Sequence, residues 1–504
     1  MASLVAQQVD AGPVPVEPPA FAPRFSDRYL STVLGTGAAL VFGLAARRRL
    51  QAPPSGDEPH YLVLNEAMRR YHTIDPTPVY ANRDYWSFYP AYLDPQTTRL
   101  PDGTTIPLHN IGGPLLWHPF YLLYGRAGVL AFLVAVTVVT VLNLYWLLRQ
   151  LGVVRAYAAT VSALFVVGSP LYVYASMSYI EMIGALVVLF AARQILASHR
   201  SPVRWAVAGA GLGYLPFVHG RFLLFTLVGG ALIAARVYAD TRSFRLRPYL
   251  PALGPLVVVF GAVVAFTLVA YGTVNPGAGN ASAGARLLAV SPLVGVPSLL
   301  FDRRYGLLPY FPVLFFAVPG CLLSLRRGLT WVHVTLLGFA LPYLLAISTF
   351  NLWWGGYSPP ARFLSVVAPL LGYYVAICLQ RLHSAVATAA AVVLAGYAFL
   401  VSLSGDILLA ERFDSGSRDP QQLLLIDRAS QLFTGMRISR TLPSVLLHTH
   451  LGNAPKFLAW TAAGAGFTVI VWLFGRRRPA DRVPVLVLAP LTSRWPWRNH
   501  QQPR

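Results

Sequence analysis

The residues best suited to chemistry lie in one short stretch, residues 56–61 (GDEPHY). Asp57 and Glu58 are adjacent carboxylates, flanked by a glycine and a proline that favour a turn and the start of a helix. A carboxylate in this setting can accept a proton from a hydroxyl group as a general base. The structural alternative is that Asp57 caps the helix and Glu58 occupies its first turn, where the helix dipole favours anions. These six residues alone leave both interpretations open.

The elements that must position this stretch are membrane helices. Of the 504 residues, 55% are hydrophobic and 12% are charged, and the mean hydropathy is +0.54. A soluble protein carries about 25% charged residues. Long apolar stretches recur from Leu30 to Phe474, many of them close to the roughly 20 residues that cross a bilayer. This composition excludes a soluble fold and predicts an all-α polytopic membrane protein.

The charge and cysteine content exclude two other classes. The formal net charge is +21, but the arginines cluster in short runs between apolar segments, as in loops that meet anionic lipid. We therefore expect no nucleic-acid partner. Cys321 and Cys378 both lie in apolar segments, which excludes a disulfide framework.

We predict about twelve transmembrane helices. The predicted ranges are 30–46, 127–148, 156–173, 178–197, 205–219, 222–237, 250–271, 306–325, 329–349, 363–380, 384–403 and 457–475. Residues 205–237 are divided into two helices because Pro216, His219 and Arg221 interrupt the apolar run, and polar groups inside lipid must be satisfied locally.

The positive-inside rule places both termini in the cytoplasm. Most loop arginines fall in short connections on one side, for example Arg149, Arg193 and Arg242, while residues 47–49 (RRR) oppose this orientation. The chain then divides into a disordered cytoplasmic tail, a transmembrane domain with three long outer loops, and a second cytoplasmic tail. These segments are 1–28, 29–475 (outer loops 47–126, 272–305 and 404–456) and 476–504.

The first outer loop is too long to be a simple connector. Residues 59–71 have the apolar spacing of an amphipathic helix lying on the membrane surface, and residues 107–125 repeat that character. The last outer loop is either a small acceptor-binding element or a packed lid. The first loop therefore predicts surface helices that carry Asp57 and Glu58.

Five stretches in order resemble the GT-C superfamily of integral-membrane glycosyltransferases, and more closely a bacterial family-39-like group within it. They are residues 56–62 (GDEPHYL), 82–85 (NRDY), 109–119, 301–312 (FDRRYGLLPYFP) and 353–364 (WWGGYSPPARFL). The run that begins at His109 departs from the histidine-containing pattern usual in that group.

This resemblance implies a sugar donor linked to polyprenyl phosphate and a cell-envelope glycan, glycolipid or protein as acceptor. The reaction would take place on the non-cytoplasmic face of the plasma membrane. Asp57 would be the general base and Glu58 its orienting neighbour. We expect two adjacent carboxylates near a low-dielectric surface to raise each other's proton affinity, which suits a base.

The resemblance also implies cations that stabilise the departing phosphate, which arginine can bind bidentately. The candidates at outer helix ends are Arg362, Arg221, Arg303 and Arg304. For each of them the alternative is an interfacial anchor whose charged end reaches water. Further candidates for substrate binding are His60, Tyr61, Asp84, His109, Glu181 and Trp354. Glu181 has a structural alternative, pairing with one of the arginines.

A divalent metal is a possible cofactor. Histidines 60, 109 and 118 could join the Asp57–Glu58 pair around a divalent metal, although their spacing matches no metal motif. The sequence has no Walker loop, dinucleotide fingerprint or Asp-x-Asp pair of a nucleotide-sugar enzyme, which favours a lipid-linked donor.

The rival function is a transporter or flippase of a lipid-linked glycan. Against it, we find no internal repeat, and the polar residues concentrate in loops rather than at helix centres.

Overall fold

A computed structural model gives the fold of the chain over most of its length. It describes residues 25–100, 103, 105–168, 170–198, 201–279, 284, 286–326, 328–356, 358–382, 384–407, 427, 431, 435, 437–444 and 450–476. Most of the predicted tails, and most of the third predicted outer loop, lie outside the described residues.

Helices dominate the described part of the chain, and one small hairpin, β1 (Thr97–Arg99) with β2 (Thr105–Pro107), pairs antiparallel in the first outer loop. In chain order the helices are α1 (Asp27–Arg49), α2 (Glu58–Tyr71), α3 (Thr77–Asn82), α4 (Gly112–Gln150), α5 (Arg155–Val167), α6 (Leu171–Tyr174), α7 (Glu181–Ile195), α8 (Pro202–Val218), α9 (Leu223–Thr241), α10 (Leu250–Tyr271), α11 (Pro292–Phe301), α12 (Ala317–Leu325), α13 (Trp331–Ser348), α14 (Ala368–Leu382), α15 (Ala385–Ile407) and α16 (His450–Arg476).

Seven segments within the described residues are long and apolar enough to cross a membrane. They are Asp27–Arg49, Gly112–Gln150, Gly220–Thr241, Leu250–Tyr271, Trp331–Ser348, Ala385–Leu403 and Ala454–Phe474. Each of the twelve predicted helices has a helical counterpart, but several counterparts are shorter than a full span. The chain is a multi-pass, all-α membrane protein.

The predicted break between α8 and α9 is confirmed. Pro216 lies in the last turn of α8, and His219 adopts an extended backbone (φ −163°, ψ 137°) that ends the helix. A short 3₁₀ turn, Gly220–Phe222, follows before α9 begins. The break places Arg221 at the end of two helices instead of inside one.

The helix predicted at 59–71 in the first outer loop is also confirmed, as α2. Pro59 occupies its first turn, where a missing N–H costs nothing. The helix ends at His72, which takes the left-handed conformation (φ 51°). Ten consecutive residues from Glu58 to Ala67 are buried, so α2 is packed on all sides at the end that bears the carboxylates.

Helix α4 contains the second predicted surface segment and a membrane span. Tyr124 and Gly125 have non-helical backbone angles, and Gly125 has φ 56°. The bend is tight, because a Cβ built on Gly128 would lie 1.9 Å from the carbonyl oxygen of Phe120. Residues 112–123 therefore form a separate surface helix that meets the span at a kink.

One outer loop contains a helix that was not predicted, and one predicted helix begins later than expected. The outer loop 272–305 contains α11, a ten-residue helix too short to give a spanning signal and bearing prolines at 292 and 297. The helix predicted at 306–325 begins later, with a 3₁₀ turn at Pro312–Phe316 followed by α12. Pro309 and Pro312 account for the delay, since neither has an N–H to donate to a preceding helical turn.

Candidate active site

Asp57 lies at the start of α2 but does not cap it. The preceding Gly56 has φ 58°, which turns the chain into the helix. Asp57 occupies the N-cap position with helical angles, and its side chain makes no capping hydrogen bond. Instead its Oδ2 accepts a hydrogen bond from Arg362 Nη2 at 2.6 Å. The capping interpretation of Asp57 is therefore wrong, and its carboxylate is bound to a cation.

Arg362 is buried and held in place through three different nitrogens. Its Nε donates to Glu181 Oε1 at 2.8 Å, and its Nη1 donates to the carbonyl oxygen of Gly355 at 2.9 Å. The guanidinium carbon lies 4.5 Å from the centre of the Tyr179 ring, at a distance suited to cation–π attraction. With Nη2 bound to Asp57, the guanidinium orientation is fixed by contacts on both its edges and its face.

Glu181 links Arg362 to a second arginine. The Glu181 side chain is fully buried, and its Oε1 also accepts from Arg221 Nη2 at 2.7 Å. Arg221 is oriented by His219, whose Nδ1 accepts the backbone N–H of Arg221 at 3.2 Å. Asp57, Arg362, Glu181 and Arg221 thus form a row of alternating charges, which we call the charge cluster.

The pKa of Asp57 is lowered, contrary to the expectation from its acidic neighbour. Burial would raise the pKa, but the positive charge and hydrogen bond of Arg362 outweigh burial and lower the pKa to about 2. Glu58 has little influence because its carboxylate is engaged elsewhere. It accepts the backbone N–H groups of Ser178 at 2.7 Å and Ser55 at 3.1 Å. Asp57 is therefore ionised at neutral pH.

Three of the predicted substrate-binding residues line the same region as neutral groups. The rings of His60 and His109 stack with centroids 5.6 Å apart, and Tyr61 lies 4.9 Å from His109. His60 Nδ1 pairs with the Tyr80 hydroxyl at 2.7 Å, and His109 Nε2 pairs with Gln96 at 2.5 Å.

Burial sets the ionisation of this aromatic group. Burial, with a smaller contribution from His109, lowers the pKa of His60 to about 3, although the charge of Asp57 opposes the change. Burial likewise lowers the pKa of His109. Both imidazoles are neutral at pH 7, so the positive charge nearest Asp57 is the Arg362 guanidinium.

Two other candidates have structural partners or lie to one side. Asp84 accepts from Arg70 at 3.1 Å and from the Tyr71 hydroxyl at 2.7 Å, which fastens the end of α2 to the turn at Asp84–Ser87. Trp354 packs edge-to-face against its neighbour Trp353 with ring centroids 6.0 Å apart.

Arg303 and Arg304 lie in the turn after α11. The guanidinium of Arg304 lies 5.2 Å from the centre of the Tyr305 ring. The carbonyl of Tyr305 accepts the N–H of Ala361 at 3.0 Å, which ties this turn to the loop of Arg362. The turn thus adjoins the cluster through the backbone.

The described residues do not fit a divalent metal. They contain no group of three or more His, Cys, Asp or Glu side chains that could hold an ion. His118 instead contacts Asn65 at 3.1 Å, and the two oxygens of Glu58 accept backbone N–H groups.

Sequence reasoning missed two parts of the site. Tyr179 supports the Arg362 guanidinium, and its hydroxyl accepts the backbone N–H of Asp57 at 3.2 Å. The carbonyl of Gly355 receives Arg362 Nη1. Tyr179 lies two residues before Glu181, so an aromatic residue beside a buried carboxylate was a usable signal. The carbonyl has no signal in the sequence, since any residue type supplies one.

The chain resembles known proteins in structure alone. No protein-family model and no curated protein sequence matches it. Among solved structures, ArnT from Cupriavidus metallidurans bound to undecaprenyl phosphate matches with a TM-score of 0.49 and 15% identity, covering 90% of this chain and 78% of ArnT. The oligosaccharyltransferase AglB from Archaeoglobus fulgidus, in complex with an inhibitory peptide and a dolichol-phosphate, matches with a TM-score of 0.45 and 14% identity, covering 82% and 59% of the two chains.

These two structures are of the kind that the sequence resemblance names. With TM-scores below 0.5 and identities below 25%, they add no evidence on catalytic residues or substrates. The functional argument therefore rests on the residues of the charge cluster and their surroundings.

Proposed function

We propose that this protein is a membrane glycosyltransferase that moves a sugar from a polyprenyl-phosphate donor to an acceptor hydroxyl. The acceptor would be a cell-envelope glycan, glycolipid or protein, and transfer would occur on the non-cytoplasmic face of the plasma membrane. The observation that carries the proposal is the contact of Asp57 with Arg362 in the charge cluster. It puts an ionised carboxylate and fixed cations at one point beside a surface helix.

Asp57 is the member of the Asp57–Arg362–Glu181 row that a substrate can reach. Its side chain is 24% exposed, whereas those of Arg362 and Glu181 are 6% and 0% exposed. One carboxylate oxygen is bound to Arg362, and the other has no hydrogen-bond partner within the described chain. In the proposed reaction the free carboxylate oxygen of Asp57 accepts the proton of the acceptor hydroxyl. At the same time the hydroxyl oxygen of the acceptor forms a bond to the sugar carbon. The bond from that carbon to the phosphate oxygen breaks, and polyprenyl phosphate leaves.

The arginines of the cluster supply the charge that a departing phosphate requires. Arg221 is the more accessible of the two, because its side chain is 12% exposed and that of Arg362 is 6% exposed. Arg362 already donates to Asp57 through Nη2, and a phosphate that draws the guanidinium towards itself weakens that hydrogen bond. Loss of that hydrogen bond would raise the pKa of Asp57. A bound donor would therefore make Asp57 a stronger base at the moment when the base is needed.

The test is direct assay of the purified protein in detergent. Polyprenyl-phosphate sugars that differ in the sugar are supplied one at a time with a membrane extract as acceptor, and release of polyprenyl phosphate is measured. We expect one donor class to be cleaved with sugar appearing in the acceptor, and much slower cleavage by the Asp57→Asn variant. The contrary result would come from the protein reconstituted in vesicles. Transport of intact donor across the vesicle membrane without cleavage would show that the protein is a transporter or flippase of a lipid-linked glycan.

A further inference from the structure

An apolar groove lies at the end of helix α9 that is remote from the charge cluster. Helix α9 begins two residues after Arg221 and runs from Leu223 to Thr241. At 1.5 Å per residue it extends about 28 Å away from the cluster. Residues 242–249 then connect it to α10, which returns through the membrane. Whatever fills this groove cannot touch the groups proposed for sugar transfer.

The groove is formed by the ends of α9 and α10 and by the connection between them. Its volume is about 850 Å³, and its walls include Tyr238, Phe244, Leu246, Tyr249 and Val257. This is within the roughly 300–1,000 Å³ of ordinary ligand sites. Phe244 and Leu246 are 81% and 76% exposed. A slot of this composition, open along apolar helices, suits hydrocarbon chains.

The connection that helps to form the groove is rich in arginine. Arg242, Arg245 and Arg247 are exposed and alternate with the groove-lining Phe244 and Leu246. No acidic residue occurs between positions 241 and 249. The preceding acid belongs to α9, where Asp240 pairs with Arg236 at 3.5 Å. The connection thus carries two exposed arginines, Arg245 and Arg247, next in sequence to groove-lining residues and without an acidic neighbour in that stretch.

We propose that this groove is a binding site for an anionic phospholipid of the bilayer. Its acyl chains occupy the slot between α9 and α10, and its phosphate group contacts Arg245 and Arg247. Guanidinium groups bind phosphate oxygens in a fork geometry, and basic pockets between helices attract anionic head groups. A zwitterionic head group carries its own cation and gains less from the two arginines. The occupant is therefore selected by head-group charge as well as by its chains.

Two glycines of α10 make the groove testable. A Cβ built on Gly254 meets nothing within 4 Å, and Gly254 lines the groove. Gly261 is equally open and lies on the same helix outside the groove lining. Gly254→Trp places a large side chain at the groove wall from an unobstructed Cβ position, and Gly261→Trp is its matched control. For the cations, Arg245→Gln with Arg247→Gln removes the head-group contacts, and the exposed Arg204→Gln is the control.

The experiment measures retained lipid. Full-length protein in detergent is incubated with equal amounts of phosphatidylglycerol and phosphatidylcholine bearing the same chains, separated by gel filtration, and its bound lipids are quantified by mass spectrometry. Gel-filtration profile and thermal midpoint establish that each variant is folded, and Gly254→Leu replaces Gly254→Trp if the latter is not.

We expect at least fivefold enrichment of phosphatidylglycerol on wild type, Gly261→Trp and Arg204→Gln. The double arginine variant should retain the two lipids equally, and the groove-filling variant should lose retained lipid. Equal retention of both lipids by wild type would overturn the proposal. So would enrichment that survives filling of the groove, since the arginines would then act as an unspecific charged surface. None of these readings depends on sugar transfer.

Discussion

Arg362 Nη2 donates to Asp57 Oδ2 at 2.6 Å across 305 positions of sequence. The contact fastens the start of the surface helix α2 to the loop that precedes α14. It also decides the ionisation of Asp57, because the cation lowers the pKa of the carboxyl to about 2 despite burial.

Replacing Arg362 should affect both activity and stability. Arg362→Ala leaves Asp57 and Glu181 without their shared cation, and breaking a buried pair costs about 3–5 kcal/mol of stability. We expect kcat/KM to fall by roughly 10²–10³-fold, as when a fixed donor at a developing charge is removed. Arg362→Lys should recover part of the stability and part of kcat/KM, because lysine keeps the positive charge but lacks the forked guanidinium. Unchanged kcat/KM in the alanine variant would reduce Arg362 to a structural partner of Asp57 and Glu181.

The depressed pKa of Asp57 predicts an acid-sensitive contribution to stability. The carboxyl titrates near pH 4 in the unfolded chain, at about 3.9, and at about 2 when folded. Because the folded pKa is the lower one, the contribution is present above pH 4 and is lost as the pH falls from 4 towards 2. Thermal midpoints of wild type and Asp57→Asn should therefore differ at pH 6 and converge near pH 2. A constant difference over this range would show that the pKa of Asp57 is not depressed.

Glu181 should act by positioning the two arginines. Glu181→Gln removes the charge that Arg221 and Arg362 share, and misplacement of such groups can lower the rate by up to about 10²-fold. The matched control is Glu66→Gln. Glu66 is a buried carboxylate that also binds two arginines, Arg69 and Arg70, each at 2.5 Å. We expect both variants to lose stability. Only Glu181→Gln should also show this loss of kcat/KM. Equal kinetic losses would mean that the effect is general destabilisation.

The sequence predicted most of the fold, because each membrane helix is encoded locally by apolar length. Breaks marked by residue type, such as His219 after Pro216, were also predictable. The short α11 was not, since ten residues give no spanning signal. Its position depends on a distant contact: a Cβ built on Gly295 would lie 1.8 Å from the carbonyl oxygen of Ser348. No local pattern contains that approach.

The residues of the candidate site could be predicted from the sequence, but their contacts with one another could not. Asp57, Glu181, Arg221 and Arg362 were each recognisable as charges at helix ends of an apolar chain. Their order in the cluster depends on packing between four separate segments. The error over the pKa of Asp57 has the same origin, because Glu58 is its neighbour in sequence whereas Arg362 is its partner in space.

The membrane orientation can be tested at two exposed positions. Asp94 lies in the first outer loop and Arg242 at the far end of α9. In a chain lacking Cys321 and Cys378, a cysteine at 94 should react with an impermeant maleimide in intact cells. A cysteine at 242 should react only after permeabilisation, and the cysteine-free chain gives the background. The reverse pattern would place the charge cluster in the cytoplasm.

The central claim is that Asp57 is the general base of sugar transfer, and Asp57→Asn tests it most directly. The amide is nearly isosteric with the carboxylate, and its oxygen can still accept the hydrogen bond from Arg362 Nη2, but it cannot accept the proton. The control is Asp27→Asn, which weakens another carboxylate–arginine pair, Asp27 with Arg149 at 2.8 Å. With a competent donor, turnover of folded Asp57→Asn should fall by roughly 10²–10⁴-fold, while Asp27→Asn turns over normally. A folded Asp57→Asn protein with wild-type turnover would contradict the account.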